Sequence, residues 1–121
     1  MGAEDRYCKT YSISWERIHQ DCKSLAKRLH GMGRWENIVG IARGGLVPTA
    51  IVARELSIRL VDTVCISSYT LRTQGRPHIL KGITTEDGGR NWLIIDDLVD
   101  TGKTAQVVRA LLPNACFATV Y

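Results

Sequence analysis

The sequence predicts an α/β domain, a parallel sheet flanked by helices. Three observations carry that expectation. Short apolar runs alternate with segments of helical periodicity, giving β-α-β-loop-β-α-β after a first helix. Ile38–Ala42 is a short apolar run and Trp92–Ile95 reads as a buried strand, as parallel sheets covered on both faces require. The chain of 121 residues, 45% of them hydrophobic, suffices for one core and one domain, 1–121.

Each element has its own signal. Residues 1–12 are polar and read as an N-terminal extension. Ser14 is placed to cap a helix, with Ile13 and Ile18 at staple positions. Trp15, Ile18, Cys22, Leu25, Ala26 and Leu29 follow at helical spacing, and Gly31 stops the run. Ile38–Ala42 is an apolar strand ending at Arg43-Gly44-Gly45. Val47–Leu56 is helical, with Pro48 tolerated in its first turn. Val61–Ser67 is rich in β-formers. Ser68–Asn91 is polar and long for a connection, as binding loops often are, with a short strand expected at His78–Lys81. Trp92–Ile95 is a buried strand, Thr104–Leu112 a helix and Ala115–Val120 a final strand. That last strand reads as central with no loop after it, so a truncated or incomplete chain is expected.

Composition excludes several functions. The net charge is +4, but the 16 Lys and Arg residues are scattered, so no nucleic-acid groove is indicated. No apolar run approaches the ~20 residues of a membrane span, and the N-terminus has no signal-peptide core. Cys8, Cys22, Cys65 and Cys116 form no CxxC pair and no metal spacing with His19, His30 or His78. They read as structural thiols of a reducing cytoplasm, Cys65 and Cys116 inside buried strands.

Two loops carry the chemistry. Sheets of this kind bind ligands beyond the carboxyl ends of their strands, and both loops fall there. In Asp100-Thr101-Gly102-Lys103-Thr104 a strand turns into a helix. Gly102 permits the turn, the helix N-terminus offers N–H donors, and the Thr101 and Thr104 hydroxyls stand beside them, which together make a phosphate site. A plain capped turn is the alternative. A Walker P-loop would need glycine at position 97, which is Asp. Arg43 and the glycines after it form a second anion-competent turn. Asp96 and Asp97 lie between the two, where they suit sugar hydroxyls, a divalent cation or a carbon gaining positive charge. The implied ligand has phosphate at both ends and a polyol between them.

The segment from Trp92 to Thr104, WLIIDDLVDTGKT, resembles the signature of the type I phosphoribosyltransferases. ARGGLVP at 42–48, ARELSIR at 53–59 and VDTVCISSY at 61–69 are similar to the bacterial members that act on xanthine and guanine. The resemblance implies transfer of the phosphoribosyl group from phosphoribosyl pyrophosphate to a purine base, with Mg²⁺ as cofactor. It implies that Asp96 and Asp97 bind the ribose hydroxyls, with Asp97 beside the metal. Thr101, Gly102, Lys103 and Thr104 would cradle the 5′-phosphate, and Arg43 and Gly44 the pyrophosphate. Asp100 would take the purine proton as the catalytic base. Ser68 and Tyr69 would open a mobile active-site loop, 68–91, that includes Lys81. In that loop Gly75, followed by Arg76, stands where those members carry arginine. The residues that recognise the base would follow Tyr121, so the hood over the purine is expected to be missing. The resemblance further implies a cytoplasmic homodimer or homotetramer, with peripheral attachment to the inner membrane face as an alternative. A non-catalytic domain that binds phosphoribosyl pyrophosphate is the competing function.

Overall fold

The computed structural model describes residues 12–67, 77–99 and 102–121. Helix α1 is Trp15–His30, opened by Ser14, whose Oγ accepts from Arg17 N at 3.0 Å. Its buried stripe is Cys22, Leu25, Ala26 and Leu29, with Ile18 partly buried against the core. Trp15, expected on that stripe, is 73% exposed. Strand β1 (Asn37–Ala42) leads into helix α2 (Leu46–Glu55), and β2 follows at Leu60–Ser67. Then come β3 (His78–Lys81), β4 (Trp92–Asp96), α3 (Lys103–Leu111) and β5 (Cys116–Thr119).

The five strands form one sheet in the order β3-β2-β1-β4-β5. The β2, β1, β4 and β5 pairings are parallel, and β3 returns antiparallel beside β2, with Ser67 opposite His78. The expected parallel sheet is therefore mixed at one edge. β5 closes the other edge: among the described residues it pairs on one side only, with β4, and is half-buried along its length.

Strand alternation divides the core in two. Ile38, Leu93 and Ile95 face α1 and α2, packing with Leu25, Leu29, Val52 and Ala53. Val39, Ile41 and Ile94 face the other way, packing with Val64, Val108 and Leu112. Cys22 is fully buried, whereas Cys65 and Cys116 are half-buried, and all three are free thiols. Among the described residues no helix is long and apolar enough to cross a membrane.

Candidate active site at the carboxyl rim of the sheet

β1 and β4 are parallel neighbours, with Gly40 paired to Ile95. Both strands therefore end on the same rim, and the turns that follow them are adjacent. The first turn begins at the Ala42–Arg43 peptide, which is cis. It is closed by Gly45 N donating to Ile41 O at 2.8 Å and Leu46 N to Arg43 O at 3.1 Å. Arg43 and Gly44 are exposed and Gly45 is buried. A Cβ on Gly44 would fall 2.5 Å from Asp97 Oδ2, so the Arg43 turn rests directly on the acidic pair. One on Gly45 would collide with Ile95 O and stand 2.8 Å from Ile41 O. Glycine is required at both positions by close approach, not by an unusual dihedral.

Asp96 and Asp97 are half-buried. Their main chain is held by the two residues that follow β5: Asp96 O accepts from Val120 N at 3.3 Å and Asp97 O from Tyr121 N at 2.8 Å. Asp96 Oδ1 accepts from Asp97 N, and Asp97 Oδ1 from Leu98 N, both at 2.8 Å. Burial, then the hydrogen bond and negative charge of Asp97, push the Asp96 carboxyl up to about 7. Sugar hydroxyls or a divalent cation would relieve that repulsion, so the pair fits either. Among the described residues no group of three or more His, Cys, Asp or Glu could hold a metal. Oxygens from substrate or water would have to complete the shell.

The second turn enters α3 through Gly102, which has φ +83° and supplies no side-chain cap. The first hydrogen bond of the helix runs from Gln106 N to Gly102 O at 3.0 Å. The positive end of the helix dipole thus lies at Gly102–Thr104, where an anion is favoured. Thr104 is half-buried there and Lys103 is exposed.

The rim thus brings together Arg43, Gly44, Asp96, Asp97, Gly102, Lys103 and Thr104. Ser68, Tyr69, Asp100 and Thr101 lie outside the described residues, as do Gly75 and Arg76. Lys81 is not brought to the rim. Its Nζ donates to Asp62 Oδ1 at 3.0 Å and to Thr63 O at 2.6 Å, toward the opposite end of β2 from Ser67. The same bond, then that from Thr63 N, holds the Asp62 carboxyl below the usual carboxylate range. Sequence reasoning placed Gly44 and Gly45 in the anion turn but gave no place to Gly40. The signal for Gly40 was present: glycine inside an apolar strand marks a close approach, and here Thr49 fills the space.

Comparisons with known proteins bear on the fold and the family. A family model described as "Phosphoribosyl transferase domain" matches residues 14–120. The xanthine-guanine phosphoribosyltransferase of Nitratidesulfovibrio vulgaris is 55% identical over 122 residues, covering 100% of this chain and 74% of that protein. The crystal structure of a purine phosphoribosyltransferase from Pyrococcus horikoshii matches with a TM-score of 0.73 and 26% identity, over 88% of this chain and 71% of that one. The Helicobacter pylori xanthine-guanine-hypoxanthine phosphoribosyltransferase matches with a TM-score of 0.72 and 25% identity, over 88% and 72%. With its family match spanning both rim turns and the sheet that carries them, the chain belongs to the type I phosphoribosyltransferases, a family of enzymes.

Proposed function

We propose that the chain is a purine salvage enzyme that transfers the 5-phosphoribosyl group from phosphoribosyl pyrophosphate to guanine or xanthine, releasing pyrophosphate. Hypoxanthine is a further candidate base. The observation that carries this reading is the seating of Gly44 on Asp97, which sets an anion turn against an acidic pair. The names of the relatives support the choice of purine.

The assigned roles follow from charge. Arg43 and the Gly44 N–H hold the pyrophosphate, Asp96 and Asp97 accept from the ribose hydroxyls, and Thr101–Thr104 receive the 5′-phosphate. The purine nitrogen forms its bond to the anomeric carbon as the bond to pyrophosphate breaks. The sugar becomes cationic on the way, and the acids stabilise that charge. Asp100 takes the proton that the purine loses, a general-base role. Asp97 would hold Mg²⁺, which supplies positive charge beside the departing phosphates. Residues 68–77, beginning with Ser68 and Tyr69, exclude water from the activated sugar. The rest of the expected loop is β3 and a return to the amino ends of the strands, where Glu36 N donates to Asn91 O at 2.9 Å and Asn114 N to Gly88 O at 2.8 Å. Lys81 is left out of the substrate set, since its ammonium is engaged with Asp62. The enzyme is assigned to the cytoplasm as a homodimer or homotetramer. Leu46 and Val47, 43% and 42% exposed at the start of α2, are apolar surface that a second copy would cover.

Titration calorimetry with Mg²⁺ and phosphoribosyl pyrophosphate, then with ATP, tests the reading. Binding of the sugar phosphate without binding of ATP is expected. Tight ATP binding with no response to the sugar phosphate would overturn it. Turnover of guanine and xanthine then separates an enzyme from a non-catalytic binding domain.

A further inference from the structure

Thr49 is 2% exposed, and among the described residues its hydroxyl has no hydrogen-bond partner. A buried hydroxyl without a partner forfeits its hydration and gains nothing in return. Such a group calls for an explanation, and one is that function opposes stability. Its surroundings indicate which function. A Cβ on Gly40 would fall 2.5 Å from Thr49 Oγ1 and 3.2 Å from Gly45 O. The hydroxyl, β1 and the first carbonyl of α2 therefore converge on one point beneath the Arg43–Gly45 turn. Residue 45 is also four positions before Thr49, the distance at which a helical threonine donates its hydroxyl back to a carbonyl. That carbonyl already accepts from Thr49 N at 2.9 Å, and its second lone pair can take another donor.

We propose that Thr49 is a positioning residue for the anion turn. Its hydroxyl donates to Gly45 O when Arg43–Gly45 takes up a diphosphate. The bond fixes the Gly45–Leu46 peptide. Leu46 N in turn grips Arg43 O at 3.1 Å, so the constraint reaches the residue that carries the guanidinium. Gly40 is part of the device, because any side chain there would occupy the space of the hydroxyl. The inference rests on the reading of Arg43–Gly45 as the diphosphate seat.

The test compares the full chain with Thr49→Val, which keeps the shape and removes the hydroxyl, and with Thr49→Ser, which keeps the hydroxyl. Calorimetry with magnesium pyrophosphate is run beside thermal unfolding. Thr49→Val is expected to bind about tenfold more weakly, the loss of one hydrogen bond, while its Tm stays level or rises. Thr49→Ser is expected to bind within about twofold of the parent. Equal binding by Thr49→Val would overturn the proposal alone. A loss that comes with a lower Tm and is not restored by serine would also overturn it, as a packing effect. If the parent chain itself takes no pyrophosphate, the proposed function falls first and this inference falls with it.

Discussion

Gly44 and Asp97 meet across the rim so closely that a methyl group on Gly44 would stand 2.5 Å from Asp97 Oδ2. Gly44→Ala should therefore displace a carboxylate rather than a piece of main chain. We expect affinity for phosphoribosyl pyrophosphate to fall about tenfold or more, with Tm within a few degrees of the parent. Gly45→Ala meets backbone oxygens of Ile95 and Ile41 that cannot yield. It should instead lower stability by about 2–3 kcal/mol, read by denaturant unfolding.

Arg43 is exposed on the same turn, free to reach an incoming anion. Arg43→Ala removes a charge-assisted bond worth about 1.5–3 kcal/mol, so pyrophosphate affinity should drop roughly ten- to a hundredfold. Calorimetry at two salt concentrations checks it. Unchanged affinity would remove Arg43 from the site.

The Asp96 carboxyl, raised to about 7, makes stability depend on pH. A carboxyl that binds its proton more tightly when folded contributes stability that is fully present below about pH 4 and lost as pH rises toward 7. Asp96→Asn should accordingly raise Tm at pH 8 by several degrees and leave it unchanged at pH 4. The effect is about 1 kcal/mol, well below full linkage because the group is partly solvent-screened. The same substitution should weaken sugar-phosphate binding, the opposite sign.

Gly102 adopts φ +83°, and among the described residues nothing stands within 4 Å of where its Cβ would be. The cost of Gly102→Ala is backbone strain alone, about 1–2 kcal/mol. Because that strain sits at the head of α3, binding of a simple 5-phosphorylated ribose should weaken in parallel. Thermal unfolding and titration with ribose 5-phosphate measure the two effects.

Lys81→Met should change neither ligand affinity nor, by more than about 0.5 kcal/mol, stability. The Lys81–Asp62 pair is half-exposed on both sides and lies away from the rim. A marked loss of phosphoribosyl pyrophosphate binding would return Lys81 to the site.

Lys81 also shows where sequence reading stopped. Its partner Asp62 lies 19 residues earlier, and the pair forms because β3 turns back along β2. Nothing local to residues 78–81 encodes that. Elements written in periodicity and caps were legible almost to the residue: α1 from Ser14 and its apolar stripe, β3 at His78–Lys81, β4 from WLIID. The adjacency of the two turns was legible too, because parallel strands must end on one rim. What escaped was set by tertiary neighbours. Ala115–Val120 is legible as a strand from its apolar run, yet which strand it pairs with is not, since that depends on β4. Thr49 acquires meaning only when Gly40 is brought against it, and the need for glycine at 45 shows fully only against Ile95.

The divided core has a consequence for how the enzyme would fail. The helix behind the Arg43 turn is anchored on one side of the sheet through Val52 and Ala53, the helix behind Gly102 on the other through Val108. On the proposed function the grip is two-handed, and each hand belongs to a separate arm. A cavity opened at Val108 would slacken the hold on the phosphorylated tail of the sugar and leave the diphosphate end firm. One opened at Val52 would do the reverse.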